Sequence, residues 1–251
     1  MKKNWLYLIP LSFLMVGCGS TDDTTASGDG AIDLRGYFES EAMSKNYQLI
    51  NKGEDGALTN DYYTEDITVS ETRIERAIDG IADTRIDISS DRLSYTDIAP
   101  EGDVTVSFYR HVDIGEELFS TDINTTEILK IGEQEIGTQN TLGSRSCKVE
   151  EELQDLTSGS NVYTGDILKF KCTKEVTITT QINDEFVGVV SYVNGTEDSV
   201  DISYYYQKQN IGLIAALNDD CIPVGMNYPD DTIDVCEATQ QRYSYVYYLG
   251  N

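Results

Sequence analysis

"EVTITTQINDEFVGVVSYVNGTEDSVDISYYY", residues 175–206, alternates apolar and polar side chains with a period of two, and that period decides the fold class. Val176, Ile178 and Ile182 share one face of an extended chain while Thr177, Thr179 and Gln181 share the other, which is the pattern of a half-buried strand. Residues 185–193 and 198–206 flank Asn194 and Gly195, the dipeptide that favours a type I′ hairpin turn. That turn sets Val189 against Val200 and Val187 against Ile202.

Outward from this stretch the same period continues. "IGLIAAL" at 211–217 is apolar on both faces and predicts the most buried strand, and "RYSYVYYL" at 242–249 predicts a closing one. Upstream, "EDITVS", "TRIDIS", "RLSYTDI" and "DVTVSFYRHV" read as strands joined by short polar turns. "RIERAIDGI" places Ile74, Ala77, Ile78 and Ile81 on one helical face, yet Asp79-Gly80 is a hairpin signal and strands flank it, so it too reads as strand. No long helix is predicted anywhere. A series of about a dozen short strands predicts an all-β chain: an antiparallel meander forming a curved sheet, a sandwich or an open barrel.

The cysteines add a framework. Cys147 and Cys172 are centred on Gly159 and Ser160 in the turn-like "TSGSN". A hairpin folded there puts Val149 opposite Phe170 on the face of the sulfurs, and Lys169 across from Glu150 on the other, a favourable cross-strand pair. Cys221 and Cys236 are centred on Tyr228 and Pro229 in "NYPDD", where proline suits a turn. Disulfides Cys147–Cys172 and Cys221–Cys236 follow, the zinc alternative lacking any CxxC spacing.

The N-terminus supplies an address. Lys2 and Lys3 precede 13 uncharged residues from Trp5 to Gly17, a signal-peptide core too short to span a membrane. Met15, Val16, Gly17 and Cys18 resemble the lipobox of bacterial lipoproteins, with leucine displaced to position 14. The resemblance implies a signal peptide over 1–17 and diacylglycerol on Cys18, acyl chains that anchor a protein stably when several act together. In diderm bacteria Gly19, which is not an aspartate, implies the outer membrane. Residues 18–31 then read as the lipidated cysteine and a flexible tether, since "GSTDDTTASGDGA" is too polar to fold. Residues 32–251 read as a single β-rich domain with a soft division near residue 140. "DLRGYFESEAMSKNYQ" and "YYYQKQNIGLIAAL" look like the terminal motifs of uncharacterised bacterial lipoproteins, a YFP-like opening and a closing tyrosine–lysine–glycine–leucine run. Here Glu39 replaces the proline.

Charge and site residues bound the function. The chain carries 44 acidic and 18 basic residues for a net charge of −26, and loses Lys2 and Lys3 with the signal. Nucleic acid is disfavoured as a partner, and anionic membrane surfaces are repelled, so membrane contact falls to the lipid. His111 is the only histidine and no GxSxG elbow accompanies it, so a Ser-His-Asp or Cys-His centre is not predicted. Asp219, Asp220, Asp230, Asp231 and Asp234 gather about the Cys221–Cys236 loop and offer hard oxygen ligands for calcium. Without a DxDxDG spacing a solvated turn is the leading reading, and no cofactor is predicted. Of 17 tyrosines, Tyr204, Tyr205, Tyr206, Tyr243, Tyr245, Tyr247 and Tyr248 fall on late strands. Exposed, such a row would stack on a polysaccharide or meet a protein partner. The sequence therefore predicts an envelope lipoprotein, anchored at the outer membrane with its domain in the periplasm or at the cell surface, serving as a non-enzymatic structural or interaction module. A carrier enclosing a lipid or other apolar ligand is the alternative, and a hydrolase the third.

Overall fold

The structure, a computed structural model, describes residues 30–52, 58–98, 103–158, 161–183, 186–187, 194–218 and 243–248. In chain order the strands are β1 (Ile32–Asp33), β2 (Met43–Lys52), β3 (Leu58–Val69), β4 (Arg73–Ile78), β5 (Ile81–Ile88), β6 (Arg92–Asp97) and β7 (Val104–Tyr109). There follow β8 (His111–Val112), β9 (Glu117–Ile131), β10 (Gln134–Ser158), β11 (Asn161–Ile182), β12 (Gly195–Lys208), β13 (Gly212–Asn218) and β14 (Tyr243–Tyr248). A 3-10 turn, Leu34–Tyr37, follows β1, with the Asp33 side chain accepting from the Arg35 amide at its start.

Twelve of these strands form one antiparallel sheet in the order β7-β6-β5-β4-β3-β2-β14-β13-β12-β11-β10-β9. Two runs of sequential hairpins meet where the last strand, β14, lies between β13 and β2. The sheet curves until its end strands, β7 and β9, approach within 8 Å at several Cα pairs without joining a ladder. The result is an open barrel, one of the architectures that the period-two pattern predicts. β10 runs unbroken through residue 140, so both halves of the chain share the one sheet.

Inward-facing residues follow directly from strand parity. Tyr47, Ile67, Ile74, Ile86, Tyr95, Val106, Phe119, Cys147, Phe170 and Tyr205 belong to one contiguous buried cluster. "IGLIAAL" is the most buried strand as its sequence predicts, with Leu213 to Leu217 all below a tenth exposed. One end of the barrel is crossed by a strap, residues 30–40. It pairs Ile32 with Val112, buries Leu34, Tyr37 and Phe38, and meets the β12–β13 turn where the Asn210 amide donates to the Gly36 carbonyl. The Arg110 guanidinium clasps Asp33 through two hydrogen bonds of 2.7 and 2.6 Å. Gly30, the first described residue, is buried against the Val112 backbone, inside the segment that composition assigns to the tether.

β10 and β11 are 25 and 22 residues long. At about 3.4 Å per residue a straight strand of that length would reach roughly 80 Å. β-Bulges between Val149 and Glu151 and between Leu153 and Asp155 interrupt the run. Away from the strap, β9 to β12 run on past the strands that flank them as a four-stranded extension. It has its own small cluster of Leu129, Ile136 and Ile182, with Phe186 packed against it.

The Cys147–Cys172 disulfide forms, and Val149 faces Phe170 as the hairpin symmetry predicts. The bulge moves Glu151, not Glu150, opposite Lys169. Lys169 nonetheless reaches both, at 3.1 Å from Glu150 and 3.8 Å from Glu151. Reduction of this bond should lower stability by about 3 kcal/mol on the chain-entropy account of a loop of this size. Urea unfolding with and without reductant, on a chain whose unreduced peptide map shows Cys147 joined to Cys172, measures it.

The Asn194-Gly195 hairpin is corrected by the structure. Gly195 opens β12 and is paired with Thr180, Val200 lies opposite Glu175, and Ile202 lies opposite Thr173. Val187 sits in a turn, so its pairing with Ile202 does not form; Val189 lies outside the described residues. The Asn194 side-chain oxygen instead accepts from the amide of Ile182, the last residue of β11.

Candidate functional site

Four charged side chains meet inside the barrel beneath the strap. The β2–β3 register sets Lys45 beside Glu65 and Tyr47 beside Tyr63, and the β3–β4 register brings Arg76 opposite Ile67 on the same inner face. Glu39 descends from the strap to complete the set. Its carboxylate takes Lys45 on one oxygen at 2.7 Å and the Arg76 Nη2 on the other at 2.9 Å. Lys45 also donates to the Ile211 and Leu213 carbonyls, and Tyr47 donates to the Leu213 carbonyl at 3.2 Å and to Glu65 at 3.3 Å. Arg76 Nε stands 4.0 Å from Glu65. Two acids and two bases thus balance in a space from which water is excluded: the Glu39 and Lys45 side chains are 0% exposed.

Electrostatics follow from that balance. Burial alone would raise the Glu39 pKa, but Arg76 and Lys45 outweigh it and hold the carboxyl at about 2. Glu65 goes the other way, raised by burial against the pull of Arg76. Asp83 is pushed up to about 7 by burial and then by Glu65 and Asp97. Burial lowers the Arg145 guanidinium, which shares this region with Tyr205, Tyr95 and Asp97. Among the described residues, Arg76 Nε and Thr84 Oγ1 are buried without a hydrogen-bond partner.

These directions set a pH dependence. An acid whose folded pKa is raised binds its proton more tightly when folded, so its contribution to stability is largest below about pH 4 and fades as pH rises through about 7. Glu39 acts oppositely, its contribution fading as pH falls toward about 2. Stability should therefore fall by about 2 kcal/mol between pH 5 and pH 8. Urea midpoints at the two pH values test this, and Asp83→Asn should flatten the slope.

Chemically the cluster is a clamp and not a reaction centre. A general acid or base must reach a substrate proton, and Glu39 and Lys45 are sealed by the strap. Their neutralised charges join two distant stretches of sequence: Glu39 and Lys45 from residues 33–48, Ile211 to Leu213 from residues 204–217. The sequence carries a signal of the cluster. Lys45, Glu65 and Arg76 occupy the apolar parity of their strands, in step with Tyr47 and Leu49, Ile67 and Val69, and Ile74.

Of the residues singled out in the sequence, those described do not join this cluster. His111 lies half exposed on β8, its Nε2 4.0 Å from an Asp33 oxygen that Arg110 already engages. Cys18, Cys221, Cys236, Asp219, Asp220, Asp230, Asp231 and Asp234 lie outside the described residues. The tyrosine row is not a continuous exposed surface: Tyr205 and Tyr206 are buried and Tyr204 is half-buried, its ring 4.8 Å from the Lys169 ammonium. Tyr205 and Tyr206, successive residues of β12, both pack into the core cluster. The side chains of Tyr243, Tyr245, Tyr247 and Tyr248 are not among those described. Among the described residues no group of three histidine, cysteine or acidic side chains is gathered as metal ligands.

Comparison of the chain with protein-family models, with curated proteins and with solved structures finds no match.

Proposed function

We propose that this chain is a lipid-anchored protein of the bacterial cell envelope that works as a non-enzymatic structural or interaction module. The observation that carries the reading is the contiguous core. Every strand from β2 to β13 contributes a buried apolar side chain to one packed cluster, or to the small cluster of the extension. A carrier needs apolar surface beyond that required for a core. Here the inner face is committed to packing and to a neutralised clamp, which supports a module acting through its outer surfaces. Four strands running on past the packed body provide such a surface. The lipobox-like run ending at Cys18 stands 12 residues before Gly30, which is buried against the fold. At no more than about 3.6 Å per residue that interval holds the body within roughly 40 Å of a membrane.

Labelling with a palmitate analogue tests the anchor. The full chain should take up label and partition with the membrane fraction, and Cys18→Ser should do neither; a variant still firmly in the membrane would overturn anchoring by Cys18. Native mass spectrometry tests the second half of the reading, where a stoichiometric apolar ligand copurifying with the chain would replace the module by a carrier.

A further inference from the structure

β9 is an end strand of the sheet, hydrogen-bonded to β10 along one side only among the described residues. Among the described residues its fifteen positions approach the six of β7 without pairing, so there most of its length past Phe119 presents an open backbone edge. Exposed long edges recruit other strands unless charge, proline or a bulge blunts them. β9 has no proline, and its ladder with β10 is regular from Ser120 to Leu129.

We propose that this edge pairs with β9 of a second copy of the same chain, antiparallel about a two-fold axis through Thr126. The charge pattern of the strand argues for this occupant. A two-fold axis perpendicular to the sheet joins each residue to one of the same parity, so side chains of one face remain on that face. Centring on Thr126 sets Asp122 opposite Lys130 twice, once on each side of the axis, and Ile123 opposite Leu129 twice on the inner face. Asp122 and Lys130 are both exposed; Ile123 and Leu129 are both already buried within one copy. The neighbouring symmetric registers fail. Centring on Thr125 puts Asp122 against Ile128, and centring on Glu127 puts that carboxylate against its own copy. Lys130 lies 3.9 Å from Glu135 within its own chain, an exposed contact that leaves it free to turn to a partner. The inference rests on the module reading in giving it a partner.

The register makes one residue self-opposed, and this yields a test. Directly opposed positions have Cβ atoms about 4.5–5.5 Å apart, close enough for a disulfide after small adjustment. In the full chain, Thr126→Cys should give a covalent dimer under mild oxidation, whereas Asn124→Cys and Ile128→Cys alone, each facing the other position, should give little. Combining Thr126→Cys with Lys130→Asp opposes like charges and should weaken dimerisation about tenfold or more; Asp122→Lys should do the same. Carrying both swaps together restores opposite signs and should recover the dimer. Sedimentation of the unmodified chain in detergent at physiological salt should show a concentration-dependent dimer. A chain that stays monomeric, crosslinks of equal yield at 124, 126 and 128, or a double swap that fails to recover while its circular dichroism is unchanged would each overturn the proposal. Membrane partitioning is read on the same samples, so a monomer that remains anchored removes the dimer and leaves the module standing.

Discussion

Glu39→Gln should destabilise the fold by about 3–5 kcal/mol, the cost of removing one partner from a buried ion pair. The substitution keeps the volume and removes the charge, taking from Lys45 its 2.7 Å carboxylate partner in a site where both side chains are fully buried. Arg76 loses its 2.9 Å contact and keeps only the more distant Glu65. The strap then loses its ionic bonds to the inner face of β2 and β4, although its apolar residues still pack. Replacing Glu39 and Lys45 together by methionine should cost less than Glu39→Gln alone, because no uncompensated charge remains and Arg76 retains Glu65. Urea unfolding followed by circular dichroism gives both values. A loss below about 1 kcal/mol for Glu39→Gln would mean that the strap is held by packing alone.

Gly212→Ala should cost about 4 kcal/mol, from two separable causes. Gly212 adopts φ +76°, and an alanine held in the left-handed region costs about 1–2 kcal/mol. A Cβ there would also lie 2.1 Å from Glu39 Oε1 and 2.5 Å from its Cδ, so the carboxylate must leave its place between Lys45 and Arg76. Gly132→Ala provides the control: φ is +64° and the space around it is open, so only the conformational part should appear, about 1 kcal/mol. In a Glu39→Gln background, the excess of Gly212→Ala over Gly132→Ala should shrink, since the clamp that it displaces is already broken. Thermal unfolding of the four variants measures the coupling. Equal costs at 212 and 132 would show that Glu39 moves aside without loss.

Strand existence was legible because local alternation reports it, and the hairpin between Cys147 and Cys172 was legible because its pairs are symmetric about one turn. Pairing between β11 and β12 was not. Asn194-Gly195 is the strongest short-range turn signal in its neighbourhood, yet the Asn194 side chain bonds the last residue of β11 and Gly195 begins the next strand. A strand's alternation states which face is buried and leaves open which neighbour it joins, so β12 could satisfy the same pattern against β11. The clamp was illegible for a related reason. Glu39, Lys45, Glu65 and Arg76 are spread over 38 positions of sequence, and each alone reads as an ordinary strand or loop charge. Only the register of β2, β3 and β4, with the return of the strap, brings them into one space. Glu39 was visible solely as a departure from a proline-containing motif, which gave no hint of the cation on either side.

β14 has a part in assembly that its six residues do not advertise. Every other neighbouring pair in the large sheet joins strands consecutive in the chain, whereas β14 meets β2 with Tyr245 opposite Ile50. Closing a loop of that length costs about 2 kcal/mol more entropy than closing one of fifteen residues. Folding should thus leave a six-strand half, β2 to β7, and a five-strand half, β9 to β13, waiting for a keystone that is synthesised after them. Until it docks, the sheet has four edges and not two. One of the extra edges is β13, the most apolar strand of the protein, and chains cut short before residue 243 would carry that edge permanently, as templates for aggregation.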